Sequence, residues 1–228
     1  MENKDVRDEL EKLWLKYREE YDHSDIEKRL NVVAYTQIES GYLYAAIRHF
    51  KPKNILEISP GYGGTTLTML SAIEKNDEKC KILSYDVLEH SKKFDRNDRK
   101  VERKLIVGDV KNLLQREDIE NCDFLFIDSD HGYPFGEWYS KNIIPFIKEN
   151  TFVFIHDWPG YEQDGSHRNI PSGYSNPSLH QEPKAVKEHC VQTGLLEPIV
   201  NLYDHYPFTG DHSNYALTQI MRKTSLHK

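Results

Sequence analysis

Five short apolar runs between residues 54 and 155 constrain the fold of this chain more than any other feature. Each run is followed directly by Ser-Pro-Gly, Asp, Gly-Asp or His, and segments with helical spacing lie between several of them. Strands that alternate with helices predict an α/β fold, with a mostly parallel sheet and helices on both of its faces. The five runs are residues 54–58, 81–85, 104–107, 122–127 and 151–155.

The segments on either side of these runs complete the predicted architecture. Residues 1–50 are amphipathic, with Ser24 and Glu27 as a capping box and a third helix from about residue 36 to 50, and they predict an N-terminal helical extension. Residues 51–228 form the α/β domain, whose last strands, 196–203 and 215–222, predict an antiparallel edge pair. Residues 158–183 are rich in Gly, Pro, Ser, Asn and His, which is typical of a loop that covers an active site. Further helices are expected at about 66–74, 111–117, 136–149 and 184–193.

Composition narrows the classes of function. A net charge of −7 argues against a general nucleic-acid-binding surface, which needs clustered Lys and Arg. No apolar run approaches the ~20 residues that span a bilayer. The three cysteines form no Cys-x-x-Cys pair and no disulfide framework, so we expect reduced thiols in a cytoplasmic protein. Neither a nucleic acid nor a membrane is expected as a partner.

A glycine-rich turn, Ser59-Pro-Gly-Tyr-Gly-Gly64, follows the first run. Gly61 and Gly63 allow backbone N–H groups to approach a ligand closely at the N-terminus of the next helix. On its own, such a turn is equally typical of a tight connection between a strand and a helix. Ligands of open α/β sheets bind at the carboxyl ends of the strands, so the residues after the other runs decide between the two interpretations.

Acidic residues follow the second and third runs. Asp86 lies 23 residues beyond Gly63, where a carboxylate can accept hydrogen bonds from the ribose hydroxyls of a nucleoside cofactor. Asp109 follows Gly108 and can contact an adenine ring, cap the helix that begins at residue 110, or do both.

The most informative residues follow the fourth and fifth runs. Asp128-Ser-Asp130-His131 and His156-Asp157 place ionisable groups at the ends of two very apolar strands, where unpaired charge is costly. A divalent cation would compensate the carboxylates, since Asp oxygens are ligands of hard cations. A hydrogen-bonded Asp/His cluster without a metal is the alternative.

With these motifs together, the chain resembles class I methyltransferases that use S-adenosylmethionine. Glu57-Ile-Ser-Pro-Gly-Tyr-Gly63 is similar to their first motif, and Asp86 falls at the position of their ribose-binding acid. The two late motifs resemble the methyltransferase domain 24 type. That type includes metal-dependent sugar O-methyltransferases of the macrocin and mycinamicin kind and cephalosporin hydroxylase-like proteins. The resemblance covers roughly residues 36–190.

The resemblance implies a Rossmann-like, seven-stranded sheet with a reversed last strand, bound S-adenosylmethionine and a divalent metal, Mg²⁺ or Mn²⁺. Two positions depart from the family pattern. Ser59 replaces the first glycine of the turn, and His156 replaces a carboxylate, which makes the ligand set softer. The implied cofactor-binding residues are Glu57, Ser59, Gly61, Gly63, Asp86, Asp109 and Asp128. The implied metal ligands are Asp128, His156 and Asp157.

The implied reaction is O-methylation of a hydroxyl on a sugar or glycosylated small molecule. Asp128 and His131 are the implied catalytic residues: a metal on Asp128 and Asp157 would lower the pKa of the hydroxyl, and His131 would accept its proton.

Three alternative functions stay open. They are a metal-independent small-molecule methyltransferase with His131 or His156 as base, an NAD(P)-linked Rossmann oxidoreductase, and a non-catalytic or hydrolytic protein. The turn lacks the Gly-x-Gly-x-x-Gly spacing of the oxidoreductase. The amphipathic N-terminal helices fit either docking on the domain itself or a homo-oligomer interface.

Overall fold

The computed structural model describes residues 3–30, 36–158, 181–206 and 218–224. The helices are α1 (Asn3–Tyr17), α2 (His23–Leu30), α3 (Gln37–Phe50), α4 (Gly64–Glu74), α5 (Val110–Leu113), α6 (Arg116–Asn121), α7 (Tyr133–Asn142) and α8 (Glu182–Val186), the last continued by a π-helical segment, Lys187–Val191. The strands are β1 (Asn54–Ile58), β2 (Cys80–Asp86), β3 (Arg96–Asn97), β4 (Val101–Val107), β5 (Phe124–Ile127), β6 (Phe152–Ile155), β7 (Leu196–Asn201) and β8 (Gln219–Lys223).

The strands form one sheet in the order β3-β4-β2-β1-β5-β6-β8-β7. The five strands predicted from the apolar runs are parallel to one another, and β8 is antiparallel to both β6 and β7. The predicted fold class is therefore confirmed, and the two-residue strand β3 adds an eighth strand to the seven expected. The reversed strand β8 lies inside the predicted pair, so that β7 forms the edge.

The carboxyl ends of the central strands are level. Ile58 of β1 pairs with Tyr85 of β2 and with Ile127 of β5, and Ile127 pairs with Ile155 of β6. Because parallel strands in register end at the same edge of a sheet, the residues that follow these four strands are brought together.

Both faces of the sheet are covered, which explains why its central strands are almost entirely apolar. On one face, Ile55 and Phe124 belong to a core that includes residues of α1, α2, α3 and α4. On the other face, Leu56 and Leu125 belong to a core that includes residues of α7 and α8. The predicted N-terminal helices therefore bury one face of the sheet.

Three helix boundaries differ from the sequence prediction. Helix α2 is capped by Asp22 instead of Ser24, because the Asp22 carboxylate accepts hydrogen bonds from the Asp25 N–H (3.1 Å) and from the Ser24 hydroxyl (2.7 Å). The helix expected at 136–149 is α7, which begins at Tyr133 and ends at Asn142, shortly before Pro145, in agreement with the bias against helix ahead of proline. The helix expected at 111–117 is divided into α5 and α6.

Most of the predicted covering loop, residues 159–180, lies outside the described residues, as do residues 215–217 of the predicted last strand. Trp158 and Glu182, which flank that part of the loop, are 3% and 0% exposed. Among the helices of the described residues, none has the length and apolar character needed to cross a membrane.

Close packing of α1 on α3 requires a glycine at position 41. A Cβ atom there would lie 2.5 Å from Cη2 of Trp14, well inside van der Waals contact. Gly41→Ala is therefore expected to lower the free energy of unfolding by about 1–3 kcal/mol, although alanine at an open helical position would raise it by about 1 kcal/mol. Urea unfolding measures the difference.

The matched control is the same substitution in a Trp14→Leu background, where the indole ring is gone. There Gly41→Ala is expected to stabilise the protein, as helix propensity alone predicts. A similar loss of stability in both backgrounds would contradict the assigned contact.

Candidate active site

Residues that follow β1, β2, β4 and β5 line a cavity of about 560 Å³ at the carboxyl end of the sheet. Ligands bind at this end of open α/β sheets, and the volume lies in the range of small-molecule sites. Six of the predicted site residues line the cavity: Ser59, Gly61, Asp86, Asp109, Asp128 and His131.

The turn after β1 has left-handed backbone at three positions. The φ angle is +62° at Ser59, +52° at Gly61 and +94° at Gly63. Glycine adopts such angles freely, whereas a residue with a side chain does so at a cost of about 1–2 kcal/mol. Ser59 thus occupies a position suited to glycine, and its backbone N–H is held by the carbonyl of Tyr85 at 2.7 Å.

The two glycines of the turn have different surroundings. A Cβ atom on Gly61 would meet nothing within 4 Å among the described residues, so this residue leaves the space beside it open to a ligand. A Cβ atom on Gly63 would lie 2.5 Å from the ring of Phe94. Gly63 therefore makes room for the segment after β2, and its predicted contact with the cofactor stays a prediction.

Asp86 joins the turn to the segment after β2. Its carboxylate accepts hydrogen bonds from the N–H groups of Gly61 and Leu88, both at 2.9 Å, and the residue is 7% exposed. Asp109 caps α5 by accepting the N–H of Lys111 at 2.9 Å, as the sequence allowed. Both carboxylates also line the cavity.

Glu57 is fully buried between β2 and the start of α4. Its carboxylate accepts hydrogen bonds from the hydroxyls of Thr65 (2.8 Å), Thr66 (2.9 Å) and Ser84 (2.5 Å). These bonds fix the helix that follows the turn to the sheet, so Glu57 supports the site from within. Its predicted place along the cofactor stays a prediction.

His131 lies among carboxylates from three parts of the chain. Its Nδ1 atom is 3.1 Å from Glu182, and its Nε2 atom is 3.3 Å from Asp157 and 3.9 Å from Asp128. Burial alone would lower the pKa of His131, but these carboxylates, Glu182 first, raise it above its ordinary value. Glu182 is fully buried, which raises the pKa of its own carboxyl, and it also accepts the hydroxyl of Tyr139 at 2.8 Å.

His156 has a similar arrangement on the other side of the site. Its Nδ1 atom is 3.2 Å from both Asp128 and Asp157, and its Nε2 atom is 3.3 Å from Glu39. Burial would lower the pKa of His156, but Asp157, Asp128 and Glu39 outweigh this effect and raise the pKa well above its usual value.

A candidate metal centre lies where these groups converge. Asp128, His131 and Asp157 each offer one ligand atom, and the three atoms lie within 4.8 Å of one another. Bonds of about 2.0–2.2 Å from a divalent cation allow ligand atoms up to about 4.4 Å apart, and Nε2 of His131 lies 3.9 Å from Asp128 and 3.3 Å from Asp157. The set contains His131 and not the predicted ligand His156, whose Nε2 atom faces Glu39 and whose ring is more deeply buried, so a ligand role for His156 stays a prediction.

Solved structures share the fold of this chain. The SAH-bound methyltransferase PaMTH1 of Podospora anserina is 16% identical, with a TM-score of 0.55 over 95% of this chain and 88% of that one. An O-methyltransferase of Bacillus cereus in complex with SAH is 15% identical, with a TM-score of 0.58 over 89% and 90%. The O-methyltransferase TomG of Streptomyces achromogenes, in complex with SAM, is 12% identical, with a TM-score of 0.54 over 89% and 88%. No curated protein matches the sequence.

The sequence itself matches a family model. Residues 56–158, which contain the turn, Asp86 and both late motifs, match the methyltransferase domain 24 family, described as a methyltransferase domain. Residues 56–158 are thus similar to this methyltransferase family, and the fold is shared with methyltransferases that bind S-adenosylmethionine or its product. The predicted resemblance is confirmed, and it favours the methyltransferase over the oxidoreductase alternative.

Two acidic residues of the site were not predicted from the sequence. Glu39 lies in the first turn of α3 and is 5% exposed, and Glu182 begins α8 and is fully buried. The pattern Thr36-x-x-Glu39 is a capping-box signature, which indicates the start of a helix but not a contact with the site. Glu182 falls in the last part of the predicted loop, where no periodicity marked it.

Backbone strain at Ser59, in the turn after β1, predicts that a substitution by glycine stabilises the protein. Ser59→Gly is expected to raise the free energy of unfolding by up to about 1 kcal/mol, because relief of the left-handed strain exceeds the added flexibility of the unfolded chain. Ser71→Gly in α4 is the control, and it is expected to lower stability by about 0.5–1 kcal/mol. Denaturant unfolding that shows a loss in both variants would rule out strain at Ser59.

Proposed function

We propose that this chain transfers the methyl group of S-adenosylmethionine to a hydroxyl oxygen of a small molecule, using a divalent cation held by Asp128, His131 and Asp157. The observation that carries the proposal is the convergence of these three ligand atoms at the end of the strands that match the methyltransferase family. The proposed acceptor is a sugar or a glycosylated small molecule, whose neighbouring hydroxyl oxygens suit a cation with carboxylate ligands.

The cavity fits the proposed cofactor. Each oxygen of the Asp86 carboxylate accepts one backbone N–H and can accept a further hydrogen bond, as the two ribose hydroxyls require. Gly61 leaves space beside the turn. Carboxylates in the lining also suit a ligand that carries a sulfonium charge.

The donor set fits the proposed cation. Carboxylate oxygens and an imidazole nitrogen are usual ligands of Mg²⁺, Mn²⁺ and related ions. A histidine that binds a metal commonly donates its other ring N–H to a carboxylate, and Nδ1 of His131 lies 3.1 Å from Glu182. When bound, such a cation lowers the pKa of a hydroxyl that it contacts.

Methyl transfer forms a bond from the acceptor oxygen to the methyl carbon while the carbon–sulfur bond breaks and releases S-adenosylhomocysteine. With His131 as a ligand of the cation, the hydroxyl proton would pass to water. The ligand role proposed for His131 and the base role predicted for it both use Nε2, because Nδ1 faces Glu182. The metal-independent alternative therefore differs at one atom: there, Nε2 of His131 takes the proton.

Asp86→Asn tests the cofactor site. We expect the variant to bind S-adenosylhomocysteine about 10- to 100-fold more weakly, because it loses charge-assisted hydrogen bonds to the ribose. Calorimetric titration measures the affinity. Asp98→Asn is the matched control, since Asp98 also accepts two backbone N–H groups in a turn, at 2.8 Å and 3.0 Å, but lies away from the cavity. Binding of NADH in place of S-adenosylhomocysteine by the parent protein would revive the oxidoreductase alternative.

Metal removal and Glu182→Gln test the proposed cation. Protein stripped with EDTA is expected to lose methyl transfer to sugar hydroxyls and to regain it with Mn²⁺ or Mg²⁺. Glu182→Gln is expected to weaken Mn²⁺ binding about 10- to 100-fold, as loss of an outer partner of a histidine ligand does.

Glu188→Gln is the control for that variant, because Glu188 contacts the Tyr133 hydroxyl instead of the cluster. Full activity of the stripped protein would refute the metal. In that case, loss of activity in His131→Ala would point to the metal-independent mechanism.

A further inference from the structure

We infer that Glu39 of α3 is a positioning residue for the metal centre: it fixes the ring of His156, and the ring orients Asp128 and Asp157. This inference deepens the proposed function and rests on it for the identity of the site. The geometry points to it through a chain of contacts that runs from the first turn of α3 to the ends of β5 and β6.

The first contact is a capping box put to an additional use. The Thr36 hydroxyl accepts the Glu39 N–H at 3.2 Å and lies 3.1 Å from one oxygen of the Glu39 carboxylate. In an ordinary capping box the glutamate accepts the backbone N–H of the N-cap residue, whereas one oxygen of Glu39 accepts the Thr36 hydroxyl. Glu39 is only 5% exposed, and its other oxygen, Oε1, faces the interior.

The second contact joins Oε1 of Glu39 to the site. This oxygen accepts the Thr218 hydroxyl at 3.0 Å and lies 3.3 Å from Nε2 of His156. A buried carboxylate needs hydrogen-bonding partners, and the His156 ring lies within reach of this oxygen beside the Thr218 hydroxyl. The hydroxyls on either side leave the carboxylate little freedom to turn away from the ring.

The third contact transmits this orientation. With Nε2 directed at Glu39, Nδ1 of His156 lies 3.2 Å from Oδ1 of Asp128 and 3.2 Å from Oδ1 of Asp157. One ring therefore holds the inner oxygen of both carboxylates, and the other oxygen of Asp157, Oδ2, is the one that faces His131. Such outer contacts set the direction of ligand atoms and thereby the affinity for the metal.

Two variants of Glu39 test separately the effect of its charge and the effect of its hydrogen-bond acceptor on Mn²⁺ binding. Glu39→Gln keeps the shape and a neutral acceptor, and we expect it to weaken Mn²⁺ binding about fivefold, the difference between a charged and a neutral acceptor. Glu39→Ala removes the acceptor, and we expect a loss of about 10- to 100-fold. The affinity for S-adenosylhomocysteine is expected to stay within about twofold of that of the parent.

Two control variants distinguish positioning from other effects. Thr218→Val keeps the charge of Glu39 but removes a hydroxyl that orients it, so a weaker Mn²⁺ affinity in this variant identifies orientation instead of simple attraction. Trp14→Leu loosens α1 on α3 without touching the cluster, so it is expected to lower thermal stability while Mn²⁺ affinity is kept. An equal loss of Mn²⁺ affinity in Trp14→Leu would assign the effect to helix packing and overturn the inference.

A readout on metal-free protein keeps the inference independent of the proposed cation. Nitrogen-15 NMR of the histidine rings is expected to show an Nε2–H of His156 that is protected from solvent exchange in the parent, shifted in Glu39→Gln and lost in Glu39→Ala. The same ring signal in all three proteins would overturn the inference, whether or not Mn²⁺ binds. If the parent binds no Mn²⁺ but the ring signal changes as expected, the metal of the proposed function fails, the role of Glu39 toward a metal falls with it, and only the fixing of the His156 ring by Glu39 stands.

Discussion

Compensation of buried negative charge is the constraint on which this site depends. Two imidazoles, those of His131 and His156, lie close to four carboxylates. The carboxylates belong to Asp128, Asp157, Glu39 and Glu182. Burial raises the pKa of the Glu182 carboxyl, and the surrounding carboxylates raise the pKa of both histidines. The proposed cation would add to this compensation at Asp128, His131 and Asp157.

In the other half of the site, the turn after β1 is held in a strained backbone conformation. The turn after β1 holds Ser59 at a φ of +62°, and strained backbone persists only where its surroundings fix it. Here the turn is fixed at both ends: Asp86 accepts the N–H of Gly61, and Glu57 ties the start of α4 to the sheet. Glu57, which was predicted to contact the cofactor, thus supports the turn from behind by holding the start of α4.

Much of the fold and of the cavity lining could be predicted because they depend on local patterns. Runs that are apolar on both faces identified the parallel strands, and the polar residues after them identified the edge of the sheet that carries the cavity. The direction in which each histidine faces could not be predicted, because His131 follows β5 by four residues and its direction depends on the loop that carries it. Glu182 and Glu39 could not be found, since neither the contact of His131 with Glu182, 51 residues apart, nor that of Glu39 with Thr218, 179 residues apart, leaves a periodic signal.

The site therefore has two parts. One is built from residues that are close in the sequence, and the other from residues that are far apart. The bond between Gly61 and Asp86 spans 25 residues and lies within one strand–helix–strand unit. The cluster around Asp128 and Asp157 needs α3, β5, β6, α8 and the residue before β8 at once. Small displacements of any of these elements therefore act on the orientation of the carboxylates before they act on the turn. The N-terminal helices, which the sequence left as either a layer docked on the domain or a homo-oligomer interface, bring Glu39 of α3 to within 3.3 Å of His156.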